Sequence, residues 1–303
     1  LAEAFVWPDR DGHLIVSSKF IYPELLAAAH KNGVKVIMSI GGWGNCDGFP
    51  PMATSSEKRA CFISEVLDFC LLHGYDGVDL DWEFVSNEEE KAGFSSLVKE
   101  LSVLLKAQDP PLLLTMAAPA GPYWGRWIDF EELHPYFDFI SFMTYDFHGP
   151  WTDHAGHNSP LYNCGGDSCG SVDDTFSYAL IREIPLKKIL LGLPFYGRSF
   201  EAAGLYKPAT NSQYYVYSEI KKLIASGWKY NWDSCAEVPY LLSPSKKTLL
   251  SFDDKKSIQK KAQYLLAKKA AGFIIWEITA DVVNGRAELL PVVYQSINYQ
   301  GDK

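Results

Sequence analysis

Three carboxylates recur at alternate positions in GYDGVDLDWEF (residues 74–84): Asp79, Asp81 and Glu83, with Asp76 just ahead of them. Val78, Leu80 and Trp82 lie between. In an extended strand, side chains two apart share a face. The acids therefore form one row and the apolar residues the other. Neighbouring Cα atoms along such a row are about 6.5–7 Å apart. Ionised together in a partly dry site, the acids would repel strongly. At least one proton is then retained and shared, and one pKa rises. A carboxyl that stays protonated near neutral pH is what general acid catalysis requires. The plainer alternative is an edge strand with a solvated acidic face. The apolar opposite face and the mid-chain position between helices argue against it.

The elements that must hold this row follow a repeated grammar. A helical stretch ends in Gly and a short β-rich run follows, as in HKNGVKVIMSIGG (30–42), LHGYDGVDLDWE (72–83) and KKAAGFIIWEI (268–278). Gly33, Gly74 and Gly272 stand where a helix C-cap needs a left-handed residue. The runs after them are apolar and β-branched, as parallel strands covered on both faces are. Thr54 to Glu57 forms a capping-box pattern, followed by Phe62, Val66, Phe69 and Cys70 at helical spacing. Asn87 and Glu90 open a second helix with Phe94, Leu97, Val98, Leu101 and Leu105 on one stripe. Asp254 caps a third, carrying Ile258, Ala262, Leu265 and Leu266. Strands are expected at 2–7, 34–41, 77–83, 112–118, 137–145, 188–195 and 271–277. This alternation predicts an α/β fold, and the length of 303 residues favours a TIM-type (β/α)8 barrel. No Gly-rich phosphate loop follows any strand, which counts against a nucleotide-binding sheet. The whole chain, 1–303, reads as one catalytic domain, with residues 201–252 a small insertion before the last strand. In a barrel the outward face meets helices, so the acids point inward near the C-terminal mouth.

The net charge of −9 argues against nucleic-acid or anionic-membrane partners, which need a basic footprint. No apolar run is long enough to cross a bilayer. The chain opens directly in a strand-like segment with no leader pattern, which predicts a mature or trimmed product. Aromatics reach 14%, with nine Trp and seventeen Tyr, a surplus suited to stacking on sugar rings. The six cysteines contain no CxxC pair, which excludes a zinc ribbon or thioredoxin motif. Cys164 and Cys169 flank the turn GGDS and are the candidate disulfide, while Cys70 lies on an apolar helix face. Asp146, His148, Asp153, His154 and His157 cluster in sequence, but their spacing matches no standard zinc pattern, and a loop at the cleft rim is the expectation.

The pattern Asp76-x-x-Asp79-x-Asp81-x-Glu83 resembles the signature of glycoside hydrolase family 18, the chitinases and their relatives. Ser39-Ile40-Gly41-Gly42-Trp43 resembles the family's SxGG motif, and Met143-Thr144-Tyr145-Asp146 its MxYD motif. Trp276 resembles the Trp closing the last strand, and GLPFYGRSF (192–200) a recurrent family segment. These motifs span most of the chain. The resemblance implies a retaining hydrolase in which the substrate's own 2-acetamido oxygen attacks the anomeric carbon, an exception to the usual two-carboxylate scheme. It implies Glu83 as acid and then base. Asp81 would hold the acetamido N–H and the oxazolinium charge, and Asp79 would share a proton with Asp81. Tyr145 would donate to the acetamido carbonyl. Asp146 would hold the sugar over Trp276, while Met143, Trp43, Tyr196, Arg198 and Phe5 belong to the sugar-binding surroundings. Trp43 and Tyr196 read equally well as packing. Ser39 would orient Asp79, with Gly41, Gly42 and Asp76 as structural support. The partner that the resemblance implies is chitin or N-acetylglucosamine oligosaccharides. The protein would be a secreted monomer, with no metal or organic cofactor.

Three features depart from the family, one being an insertion shorter than in deep-groove members, which predicts a more open cleft and mid-chain cutting. AEAFVWP, with Phe5, resembles the family's second strand, which implies a barrel whose first strand is missing from these residues. Val85 stands where a Pro is common. Rival readings are a non-catalytic chitin-binding lectin-like protein, which would lack Glu83, and an endo-β-N-acetylglucosaminidase acting on glycoprotein glycans.

Overall fold

The computed structural model describes residues 1–18 and 20–298. They divide into two compact units, Leu1–Ser141 with Arg182–Lys188, and the remainder. The first unit carries strands β1 (Ala2–Pro8), β2 (Leu14–Val16), β3 (Ile37–Gly41), β4 (Gly77–Asp81), β5 (Leu113–Ala118) and β6 (Phe139–Phe142). Their order is β2-β1-β3-β4-β5-β6. β1, β3, β4 and β5 run parallel to their neighbours, and β2 turns back antiparallel on β1. Helices α1 (Pro23–Lys31), α2 (Phe49–Ala53), α3 (Ser56–His73) and α4 (Glu88–Lys106) connect them.

β4 is buried along its whole length. Its apolar row meets the helices: Trp82 stacks on Phe49 of α2 with centroids 5.0 Å apart, and meets Phe94 of α4 edge-on at 6.0 Å. The α4 stripe of Phe94, Leu97, Val98, Leu101 and Leu105 is buried. Asn87 caps α4 by accepting the Glu90 N–H at 2.9 Å. Gly74 takes the left-handed C-cap conformation after α3. Two caps differ from expectation. Ser55, not Thr54, accepts the Lys58 N–H at the start of α3, while the Thr54 hydroxyl donates to the Pro50 carbonyl at the end of α2. Two adjacent hydroxyl residues can each close a helix end, and α2 takes the first.

In the second unit, β7 (Ile189–Pro194) and β13 (Gly272–Trp276) pair in parallel. The C-cap before β13 is Lys269, with φ 59°, and not Gly272, which already belongs to the strand. Asp254 caps the helix Lys255–Lys268 as expected. Ile258, Ala262 and Leu265 are buried on it, whereas Leu266 is exposed. All seven strands read from the sequence occur; β1 runs one residue longer than expected, to Pro8, and the others are trimmed at their ends by up to three residues. β4 stops at Asp81 and β6 at Phe142, two and three residues short of the expected ends.

The insertion is larger and more β-rich than its sequence suggests. β8 (Tyr196–Ala202), β9 (Ala209–Val216), β10 (Lys229–Asp233), β11 (Val238–Leu242) and β12 (Thr248–Ser251) form an antiparallel sheet of order β10-β11-β12-β8-β9. A short helix, Tyr217–Ala225, follows β9. It packs with Leu193, Phe195, Leu241, Leu250 and Phe252 in one core. Cys164 is bonded to Cys235, not to Cys169, and Cys169 is a free thiol. The correction has a simple cause. Only four residues separate Cys164 from Cys169, and loop-closure cost grows slowly enough with length that a partner 71 residues away can compete.

Candidate active site

Asp79 and Asp81 lie inside the first unit, 8% and 7% exposed. Strand register positions the donors. Ser39 on β3 and Thr115 on β5 are the cross-strand partners of Asp79. The Ser39 hydroxyl donates to Asp79 Oδ2 at 3.0 Å and the Thr115 hydroxyl to Oδ1 at 2.5 Å. Both oxygens of Asp79 are thus occupied by hydroxyls, with no described hydrogen bond to Asp81. Thr115 was not singled out from the sequence, although it is the lone hydroxyl in an otherwise apolar strand. Burial raises the Asp79 pKa against the pull of these two donors.

Asp81 is more exposed to conflict. Its Oδ1 is buried with no hydrogen-bond partner. Burial first, then the charges of Glu83 and Asp79, hold its carboxyl well above the usual carboxylate range. Glu83 sits two residues beyond the strand, in the turn after it, half-buried. Cys46 braces that turn: its sulfur accepts the Glu83 N–H at 3.2 Å and lies 3.6 Å from the Asp81 carbonyl. Burial pushes this thiol up to about 12, so it stays a neutral bracket.

Gly41 and Gly42 are required by close approach. A Cβ on Gly41 would lie 2.2 Å from the Asp81 carbonyl oxygen, and one on Gly42 2.7 Å from the Phe5 ring. Both have positive φ, 113° and 80°. Trp43 then projects outward, 74% exposed, so it is not packing. Trp124 stacks on Phe84 at 5.1 Å and Tyr123 stands edge-on to it, adding partly exposed rings that sequence reading missed. Asp76 is held apart from the row. Its Oδ2 accepts from the Val36 N–H at 2.8 Å and is 2.9 Å from His30 Nε2, fixing the start of β4.

The second unit gathers a different set. Asp146, at φ 58°, accepts a two-pronged contact from Arg198, Nε to Oδ1 at 2.6 Å and a terminal nitrogen to Oδ2 at 2.8 Å. Such fork-on-fork pairs fix direction as well as charge. The Arg198 guanidinium lies over Trp151 at 4.9 Å and near Tyr196 and Tyr214. Tyr196 is 2% exposed, stacked on Tyr214 at 4.6 Å and edge-on to Tyr145 at 6.0 Å. It is a packed ring behind Tyr145. Trp151 and Tyr214 are additions that spacing alone did not reveal. Tyr145 and Met143 are half-buried beyond the end of β6, and Trp276 is half-buried at the end of β13, its carbonyl accepting the Phe195 N–H at 2.8 Å.

The Asp81 environment has a consequence for stability. The folded chain keeps a proton there at pH values where the unfolded chain, with a carboxyl near 3.9, has released it. The folded state binds more protons across that window, so its stability falls as pH rises from about 4 through the raised value. Asp81→Asn has no proton to lose. It is expected to exceed the wild type in stability near neutral pH by on the order of 1 kcal/mol, with a flatter pH dependence. Urea unfolding at pH 4 and pH 7.5 checks this, and an unchanged wild-type slope in the variant contradicts it.

Within the first unit, buried acids beside a half-buried Glu are equipment for general acid–base chemistry, and similarity to known proteins points to a carbohydrate substrate class. The family described as "Glycosyl hydrolases family 18" matches residues 3–281. A "Probable endochitinase" of Caenorhabditis elegans is 32% identical over 290 residues, 86% of this chain and 47% of that protein. "Chitinase 1" of Aphanocladium album is 31% identical over 308 residues, 97% of this chain and 72% of that one. Among solved structures, a Group IV chitinase of Ostrinia furnacalis in complex with allosamidin is 28% identical with a TM-score of 0.88, covering 97% of this chain and 89% of that one. The chain thus spans about half the length of one of these relatives and most of the others. The sequence motifs, the buried acid row and this match across nearly the whole chain agree: the chain belongs to glycosyl hydrolase family 18.

Proposed function

We propose that this chain is an endo-acting chitinase that cleaves β-1,4-linked N-acetylglucosamine polymers with retention, using the substrate's acetamido group as nucleophile. The observation that carries the reading is the state of Asp81: buried, held protonated, with one carboxyl oxygen lacking a donor, two residues before Glu83. A buried oxygen without a donor is costly. An acetamido N–H satisfies it, and passing the shared proton to Asp79 leaves a carboxylate there that offsets the positive oxazolinium that follows. Glu83, at the turn, protonates the leaving glycosidic oxygen and later takes the proton of the incoming water. Asp79, locked by Ser39 and Thr115, sets the charge state of Asp81. Tyr145 donates to the acetamido carbonyl, Asp146 holds the sugar with Arg198 fixing its direction, and Trp276 provides a flat apolar face. Exposed Trp43 offers a further stacking face for the polymer.

No described helix is long and apolar enough to cross a membrane. Export to the cell exterior follows from the insolubility of the polymer and from the disulfide, which persists in oxidising compartments. The chain is proposed to act as a monomer.

The mechanism is tested with two soluble hexamers of equal length, one of N-acetylglucosamine and one fully deacetylated. The acetylated hexamer is expected to be cut internally, with β-anomeric product appearing first. The deacetylated hexamer, lacking the internal nucleophile, is expected to survive. Comparable cleavage of both, or an initial α-anomer, would refute substrate assistance. Binding of the acetylated hexamer without any turnover would instead favour a lectin-like protein.

A further inference from the structure

The loop between β6 and the helix Val172–Ile181 runs through residues 143–171 without a helix or strand of its own. Loops of that length are uncommon in compact domains unless something organises them. Four side chains converge in it: His148, His154, Asp167 and Cys169, whose donor atoms all lie within 4.8 Å of one another. His148 Nε2 is 3.2 Å from His154 Nε2 and 2.9 Å from Asp167 Oδ2. His154 Nε2 is 3.4 Å from Asp167 Oδ1 and 3.9 Å from Cys169 Sγ. We propose that these four residues form a structural zinc-class metal site that staples this loop.

Three observations support the assignment. The first is geometric. Zinc bonds of 2.0–2.3 Å in a tetrahedron place donor atoms about 3.3–3.6 Å apart. The four measured separations bracket that range, so small side-chain rotations suffice to complete the tetrahedron.

The second is the orientation of the imidazoles. His148 Nδ1 lies 2.9 Å from the His157 carbonyl, which can only accept, so Nδ1 carries a proton. His154 Nδ1 lies 2.7 Å from the Asp153 carboxylate, which fixes its proton in the same way. In the neutral rings, both Nε2 lone pairs therefore point into the cluster, at each other. Two such lone pairs at 3.2 Å repel unless a metal ion or a proton lies between them. Outer hydrogen bonds to a carbonyl and a carboxylate are the supports that metal-bound histidines have.

The third is the donor set. Two imidazoles, one carboxylate and one thiolate suit a borderline divalent ion such as zinc, and four protein ligands leave no open position, as structural sites require. Cys169 is free to serve because Cys164 pairs with Cys235. On binding, the sulfur–hydrogen bond of Cys169 breaks, its proton goes to solvent and a zinc–sulfur bond forms. No electron is transferred. Of the acids and histidines clustered in the sequence here, only His148 and His154 enter the donor set. Asp167 and Cys169 complete it from farther along the loop. The proposal departs from the expectation of a metal-free loop.

The competing explanation is a buried imidazolium–carboxylate pair, with a proton on His148 Nε2 donated to Asp167. The two are separated by treating the purified protein, without reductant so that the disulfide stays closed, with dipicolinate and then titrating zinc. A single tightly held zinc per chain is expected by elemental analysis after gel filtration. Cobalt(II) in its place should give intense tetrahedral visible bands together with a thiolate charge-transfer band, which Cys169→Ser removes. His154→Ala should lose the stoichiometric metal. Asp153 is 97% exposed, so Asp153→Asn leaves the fold alone and should weaken binding about 10-fold or more. Substoichiometric zinc in the wild type, cobalt spectra without the thiolate band, or unchanged zinc content in His154→Ala would each overturn the assignment.

Discussion

Glu83→Gln is expected to reduce kcat on N-acetylglucosamine oligomers by about 10²–10⁴, the usual worth of a positioned general acid. That corresponds to about 3–5 kcal/mol of transition-state stabilisation. Gln keeps the size of the side chain and cannot give up or take a proton. Glu83 lies in a turn after β4 and is only half-buried, so the fold should survive. KM is expected to move little, because the lost interaction belongs to the transition state. Steady-state kinetics together with a thermal melt separate the two possibilities. A variant that melts like the wild type and retains turnover within a few-fold would remove Glu83 from the chemistry. The Asp81 variant described above should lose activity too, but with a gain in stability, and that opposite pairing distinguishes the two acids.

The second large effect is on stability. Lys261 and Asp253 are each about 1% exposed and joined Nζ to Oδ2 at 2.7 Å. Lys261 also donates to the Ser159 hydroxyl at 2.6 Å, and Ser257 donates to the other Asp253 oxygen at 2.7 Å. Ser159 in turn donates to the carbonyl of Thr144, the residue before Tyr145. Lys261→Met leaves Asp253 buried without its cation and should cost about 3–5 kcal/mol. Adding Asp253→Leu removes the stranded charge and should recover much of that loss, since paired burial is often no more stable than an apolar replacement. Chemical unfolding of the single and double variants measures this. A loss below about 1 kcal/mol in the single variant, or no recovery in the double, would show that the pair is hydrated or dispensable.

What was legible in the sequence had short-range causes. Alternation in GVDLDWE set the acid row against an apolar row that now packs on Phe49 and Phe94. Asn87, Gly74 and Asp254 fixed helix ends because capping is decided within a few residues. Ser39 stood opposite Asp79 as soon as two adjacent parallel strands were aligned. What was missed depended on partners far away in the chain. β9 reads ATNSQYYV and is half or fully exposed along its length, so it has no clear apolar alternation to mark it as a strand. The Cys164–Cys235 pairing spans 71 residues and no local pattern chooses it over Cys169. Asp167 and Cys169 became neighbours of His148 only when the loop folded back on itself.

That crosslink also governs how the protein would respond to cutting. The segment it closes contains the connection between β8 and β9 and the start of β9, where exposed Lys207, Thr210 and Asn211 invite proteolysis. A single nick there leaves both ends tethered, with Arg198 still on one side of the break and Tyr214 on the other. Shedding the fragment would take a reductant as well as a protease, so damage in a digestive milieu need not become loss of the aromatic cluster around Asp146.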